Sequence, residues 1–175
     1  GATAKVDRIT EIGIVEINEE GEVREWSSLV NPQTCIPPFI QKLTGISNEM
    51  VAAAPTFAEL ADEVLMRLHG RLFVAHNARF DYGFLKSEFR RLGVDFKAPV
   101  LCTVKLSRKL FPQFSKHSLD ALIERHQLHM PARHRALADA AVLWQFWQLL
   151  QQQFSPSQLQ EAVGSLTGHS SWPTH

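Results

Sequence analysis

Between Thr56 and Gly93 the chain spells out helix, strand and helix in turn, and no other stretch restricts the fold as strongly. Phe57, Leu60, Ala61, Val64, Leu65 and Leu68 recur at helical spacing behind a capping Thr56, and Gly70 ends the run. The next five residues, "RLFVA" (71 to 75), have the length and apolar character of a buried strand and open into "HNARFD". Phe80, Phe84, Leu85, Glu88, Phe89 and Leu92 then return to helical spacing as far as Gly93. A short apolar strand between two amphipathic helices must be covered by them, which points to layers of helix on sheet.

The flanking segments extend this pattern. "RITEIGIVEI" (8 to 17) and "EVREWSSLV" (22 to 30) read as the two strands of an antiparallel hairpin around "NEEG". A long loop punctuated by Pro32, Pro37 and Pro38 follows. "PVLCTV" (99 to 104) reads as another buried strand and "HSLDALIERHQL" (117 to 128) as a short helix capped by Ser118. A last helix runs from about Leu137 to Gln152, with a weak helix at most after Phe154. A hairpin followed by alternating strands and helices indicates an α/β fold, a mixed sheet flanked by helices. With 45% hydrophobic residues, 11 Phe and 4 Trp, 175 residues suffice for one core. Residues 1–153 are read as the domain and 154–175 as a tail or linker.

Eighteen basic residues balance eighteen acidic ones, so no bulk positive field recruits a polyanion and any nucleic-acid site must be local. Cys35 and Cys102 form neither a metal-ligand pair nor a disulfide framework, which suits a reducing, cytoplasmic setting. No apolar run reaches the roughly 20 residues of a membrane span, and no membrane partner is expected. Gly1 in place of methionine and the polar end "GHSSWPTH" give both ends the look of cuts within a longer chain.

In "HRALADA" (134 to 140), His134 and Asp139 stand five positions apart, about 140° around a helix. They can serve one site only if one of them lies off the helix. Pro131 and the onset of periodicity at Ala136 put His134 on the approach loop and Asp139 in the first turns. In "HNARFDYGFL", Asp81 occupies the opening turn of a helix behind a buried strand, where ligand-binding groups gather. Each carboxylate alone also fits a plain helix start. Together they could share a hard cation such as Mg²⁺.

"DRITEIG" (7 to 13), "IQKLTGISNEMVAAAPTFAEL" (40 to 60), "LFVAHNARFDYGFLKSEF" (72 to 89), "HSLDAL" (117 to 122) and "HRALADA" resemble, in order, the DEDDh or DnaQ-like exonucleases. That family includes the proofreading epsilon subunit of bacterial DNA polymerase III. The resemblance runs from Asp7 to about Leu150. It implies a ribonuclease H-like fold and a 3′ to 5′ exonuclease that uses two divalent ions, Mg²⁺ or Mn²⁺, in proofreading or repair. Asp81 and Asp139 match the third and fourth metal-binding carboxylates, and His134 matches the general base that takes a proton from the attacking water. Two ions about 4 Å apart stabilise both the entering and the leaving oxygen of a phosphodiester. An imidazole with an ordinary pKa of about 6.5 suits the base. The implied partners are 3′ ends of single-stranded DNA, with RNA open, and a polymerase subunit or a fused GIY-YIG type nuclease domain.

The family's first motif, Asp-x-Glu-Thr-Thr-Gly, precedes "DRITEIG", and Gly1 aligns with its last glycine. Neither of its carboxylates is in this sequence, and Glu11 is not expected to replace them. Residues 1–175 alone are therefore expected to be inactive or nearly so. A catalytically inactive module that binds nucleic acid or a polymerase is the competing reading. The family places Thr44, Gly45 and Ile46 near the terminal nucleotide, where a plain turn is the other reading. Asn77 belongs to the matched motif but also fits a helix cap. Phe80 could stack on a base, although its spacing with Phe84 favours packing in the core. His76 is expected to be packed and hydrogen-bonded. His126, His129, His169 and His175 are read as surface residues, and the basic sets Lys105, Arg108, Lys109, Lys116 and Arg79, Lys86, Arg90, Arg91 as solvated faces able to track phosphates.

Overall fold

The computed structural model describes residues 8–168. Strands β1 (Glu11–Ile17) and β2 (Val23–Leu29) form the antiparallel hairpin, with Glu11 opposite Leu29 and Ile17 opposite Val23. Asn18 shapes its turn: Oδ1 accepts the N–H groups of Glu20 (3.0 Å) and Glu22 (2.8 Å), and Gly21 takes the positive φ of 83° that the reversal needs. Next come α1 (Pro38–Thr44), α2 (Asn48–Ala52), α3 (Phe57–Leu68), β3 (Phe73–Ala75), α4 (Ala78–Arg91), β4 (Val100–Cys102), α5 (Thr103–Leu110), α6 (Leu119–His126), α7 (Ala136–Gln153) and α8 (Pro156–Thr167). β3 and β4 pair in parallel, Phe73 with Val100 and Ala75 with Cys102. Both strand orientations are thus present, in two two-stranded ladders.

The structure departs from the sequence reading in three places. The proline-marked loop contains α1 and α2. Pro38 sits in the first turn of α1, where a missing N–H costs nothing, and the Ser47 side chain caps α2. The strand read over 99 to 104 stops at Cys102, and Thr103 already begins α5, whose buried face is Thr103, Val104, Leu106 and Ser107. The segment after Phe154, read as tail or linker, carries the twelve-residue α8. A reciprocal Ser155–Gln158 capping box starts it, with Pro156 at its head. Its Leu159, Ala162 and Val163 are buried in the same cluster as Leu101, Leu106, Leu122, Phe146 and Leu150. Residues 169–175, including His169 and His175, lie outside the described residues.

A second cluster gathers under the hairpin: Ile12, Val30, Phe57, Val64, Leu85, Phe89 and Phe96. Phe57 meets Phe89 edge-on with ring centroids 5.0 Å apart, and Phe89 stacks on Phe96 at 5.1 Å. Each such ring contributes about 1.5–3 kcal/mol by leaving water. Glu88, buried beside them, pairs with Arg8 (2.6 Å) and Arg91. His126, read as a surface residue, instead packs its ring against Phe111 (4.9 Å) and Phe146 (5.5 Å).

β1 works on two faces, because successive residues point opposite ways. Ile12 and Ile14 join the cluster under the hairpin, and Glu16 pairs with Arg67 of α3 at 2.8 Å. Gly13 faces the other way, against the first turn of α7. A Cβ at this position would stand 2.2 Å from the backbone nitrogen of Leu137. Only glycine lets strand and helix approach this closely.

Candidate active site

The parallel pair β3–β4 sends two helices out side by side from its carboxyl ends, where open α/β sheets gather their ligands. α4 begins behind Asn77, held at a left-handed φ of 62°, and α5 begins directly after Cys102. Neither helix is capped by its own N-cap side chain. The Asn77 side chain does not cap α4, contrary to the cap reading. The Cys102 thiol lies against the backbone N–H groups of Lys105, Ala78, Val104 and Asn77 at the start of the two helices. Burial raises its thiol pKa, but these donors outweigh burial and leave it lowered. Behind this junction, His76 hydrogen-bonds Thr103 Oγ1 (2.8 Å) and, through Nε2, donates to the His117 carbonyl (2.7 Å), while His117 Nδ1 lies 2.7 Å from Ser107 Oγ. Burial, together with the nearby Arg133 charge, holds the His76 pKa down despite the carbonyl it donates to.

Asp81 lies one turn into α4 and more than a third of its surface meets solvent, while the protein around its carboxyl partly desolvates it. That desolvation, together with the Asp139 charge facing it, pushes its pKa up to about 6 from an ordinary 3.8. The two carboxylates, 58 positions apart in sequence, thus share one electrostatic site.

Asp139 reaches that site from α7. Its Oδ1 accepts the backbone N–H of His134 (3.2 Å), and its Oδ2 accepts from Arg133 Nη1 (3.0 Å). Desolvation raises its pKa, and the Arg133 charge and the His134 contact only partly offset this. His134 takes a left-handed φ of 72° and turns the chain just ahead of the helix, so it does lie off the helix while Asp139 lies on it. Arg133 also pairs with Asp120 (2.6 Å) and places Nη1 3.2 Å from His134 Nδ1. A guanidinium has nothing to accept with, so Nδ1 accepts here, and a neutral ring carries its proton on Nε2.

Glu11 does not approach as a metal ligand. Its two oxygens accept Arg135 Nε (3.0 and 3.2 Å), Arg135 Nη2 (2.7 Å) and the backbone N–H of Ala136 (3.0 Å). Burial alone would raise its pKa, but these donors bring it below the ordinary value. Sequence reading missed this use of Glu11, which acts across some 125 positions of chain, and missed Arg133 and Cys102, which carry no motif of their own.

Thr44, Gly45 and Ile46 form the turn between α1 and α2. Thr44 Oγ1 donates to the Ile40 carbonyl (2.8 Å), Gly45 takes φ 75°, and the Ile46 side chain is buried with Ile36 and Val51, so its apolar surface is spent on packing. Phe80, expected in the core, is 57% exposed beside Asp81 in α4, which leaves its ring free to meet a ligand.

Asp81 and Asp139 suit a hard divalent cation: both are carboxylates, both are partly desolvated, and the charge of Asp139 is felt at Asp81. They are an incomplete set. Among the described residues, no group of three or more His, Cys, Asp or Glu side chains is placed to hold a metal ion.

Comparison with known proteins gives this geometry a family. Residues 1–146 match the RNase_T family, described as Exonuclease. Over 142 residues (79% of the chain) the sequence is 46% identical to the 3'-5' exonuclease DinG of Bacillus subtilis (strain 168), but it covers 15% of that protein's length. It is 41% identical over 134 residues to the PolC-type DNA polymerase III of Caldanaerobacter subterraneus subsp. tengcongensis, covering 77% of the chain and 10% of the relative. Among solved structures, exonuclease X in complex with 5′ overhanging duplex DNA superposes with a TM-score of 0.70 at 26% identity, covering 93% of this chain and 95% of that one. The nuclease domain of 3'hExo, a DEDDh family member bound to rAMP, shares the fold with a TM-score of 0.69 at 20% identity, covering 83% and 82%. The chain therefore belongs to the RNase_T exonuclease family and shares the ribonuclease H-like fold of solved exonucleases, a DEDDh member among them.

Proposed function

We propose that this domain is a divalent-metal-dependent 3′ to 5′ exonuclease acting on single-stranded 3′ ends, with DNA as the favoured substrate, in proofreading or repair in the cytoplasm. The observation that carries this reading is the electrostatic proximity of Asp81 and Asp139, with the His134 N–H bonded to Asp139. The names of relatives, an exonuclease and a polymerase, support the substrate class and suggest a polymerase or a further nuclease domain as partner.

Divalent ions, when bound, would polarise the scissile phosphate and the attacking water. Asp81 and Asp139 would supply carboxylate oxygens to hold them. His134 would take the proton of the water, which requires Arg133 to release Nδ1 or the ring to change tautomer. Phe80, on the exposed face of α4, would stack on a base near the 3′ end, and Asn77 and the turn Thr44, Gly45 and Ile46 would line the same strand. The family set also needs the Asp-x-Glu pair that precedes "DRITEIG". The test is Mn²⁺- or Mg²⁺-dependent digestion of a 5′-labelled single strand, with and without that upstream segment. Shortening from the 3′ end only when the segment is present supports the proposal. A protein with all four carboxylates that leaves the strand intact refutes it, and tight binding without cutting would favour an inactive binding module.

A further inference from the structure

We infer that Glu11 is a positioning residue for the proposed hydrolysis, acting through Arg135 and Ala136 to hold His134 and Asp139 in register. The inference rests on the exonuclease reading above.

α7 starts without a cap from its own N-cap residue, Arg135. Its first free N–H, that of Ala136, is met instead by Glu11, 125 positions earlier in the chain. The same carboxylate grips the Arg135 guanidinium through both oxygens, a fork geometry that fixes orientation as well as distance. One strand pleat further on, Gly13 seats the backbone of Leu137. Arg135 and Ala136 are therefore fastened to β1, and His134 precedes them by one residue. On its other side, His134 is tied by its own N–H to Asp139, whose N–H in turn bonds the Arg135 carbonyl (3.0 Å). The loop that carries the proposed base thus closes into a small ring of contacts, anchored to the sheet at Glu11.

Glu16 supplies an internal control. It lies on the same strand, its side chain is as buried as that of Glu11 at 10% exposure, and it too pairs with an arginine. Its partner Arg67 belongs to α3 and packs on Trp26, away from the α7 loop. A merely structural ion pair on β1 should behave like Glu16.

The experiment compares Glu11→Ala, Glu11→Gln and Glu16→Ala in the intact protein, measuring kcat and KM on labelled single-stranded DNA with Mn²⁺, and the melting temperature. A misplacement on the order of 1 Å costs up to about a hundredfold in rate. Glu11→Ala should therefore lower kcat by about ten- to a hundredfold, with KM within about twofold. Glu11→Gln, which keeps an acceptor for the Ala136 N–H, should recover a large part of that loss. Glu16→Ala should lower the melting temperature with kcat within about twofold. A Glu11→Ala enzyme with wild-type kcat, or a kcat loss that Glu16→Ala reproduces, overturns the positioning role and leaves the exonuclease reading intact. A wild type that digests nothing overturns both. If Glu11→Ala does not fold, Glu11→Gln decides: a kcat loss of about threefold or more at unchanged KM and melting temperature supports the role, and no loss overturns it.

Discussion

α4 and α7 each begin behind a residue of positive φ, Asn77 at 62° and His134 at 72°, and neither is capped by its own N-cap side chain. The start of α7 is met by Glu11 instead, and the start of α4 lies against the Cys102 thiol. Each helix then carries one of the two coupled aspartates. Beyond this point the two differ. Asp139 is gripped by Arg133 and by the His134 N–H, whereas the charged group felt by Asp81 is Asp139 itself. Similar backbone devices therefore deliver two carboxylates with different electrostatic burdens. The difference lies in where the nearby cation sits, and Arg133 sits with Asp139.

Replacing either carboxylate tests the half they share. Asp81→Asn and Asp139→Asn should each lower the digestion rate of the intact protein by about a thousandfold or more, since each removes charge that would hold the ions. Their effects on stability should differ. The pKa of Asp81 is about 6 in the folded protein and 3.8 ordinarily, so between those values the native state binds the extra proton. Metal-free stability should then fall as pH rises through roughly pH 4 to 6 and stay lower above that window. Asp81→Asn removes this penalty and should raise the melting temperature at pH 8. Asp139→Asn should gain less, because Arg133 already offsets part of its charge. Equal gains would break the comparison.

Gly13→Ala should destabilise the domain by roughly 1–3 kcal/mol or more, because the added methyl meets backbone rather than a side chain that can turn away. Chemical denaturation would measure this, and a neutral result would mean that α7 is not seated on β1. The smallest effect belongs to Arg133→Gln. Without the guanidinium, the Asp139 carboxyl should titrate at a higher pH than in the wild type, while Asp81 shifts less. Carbon-detected NMR of the two carboxyl groups in metal-free protein would resolve this.

How much of this could be read from the sequence depended on whether the cause was local. Thr56 caps α3 and receives Glu59 in return, Gly93 follows α4 at φ 77°, and Ser118 caps α6; all three devices lie within a few residues of the helix they serve. The position of His134 off the helix and of Asp139 on it was legible for the same reason. α1 was hidden because Pro37 and Pro38 signal both a turn and a helix start. α5 was hidden because β-branched Val100, Thr103 and Val104 continue a strand pattern across a boundary that the paired sheet sets. α8 carried a readable signal in Ser155, Pro156 and Gln158, but its polar composition outweighed it. Glu11 leaves no local trace, since Arg135 and Ala136 are brought to it only by the completed fold, and the part that Cys102 plays at Asn77 and Ala78 depends on the pairing of β3 with β4.

The glycine contact between β1 and α7 also bears on how the domain assembles. A hairpin that paired one residue out of step would turn the opposite side of the strand toward α7, offering Ile12 or Ile14 where the helix backbone needs bare space. An isoleucine there would push the helix backbone away, so such a hairpin could not close against α7 as it does here. A molecule with α7 seated on β1 has thereby already passed a test of strand alignment.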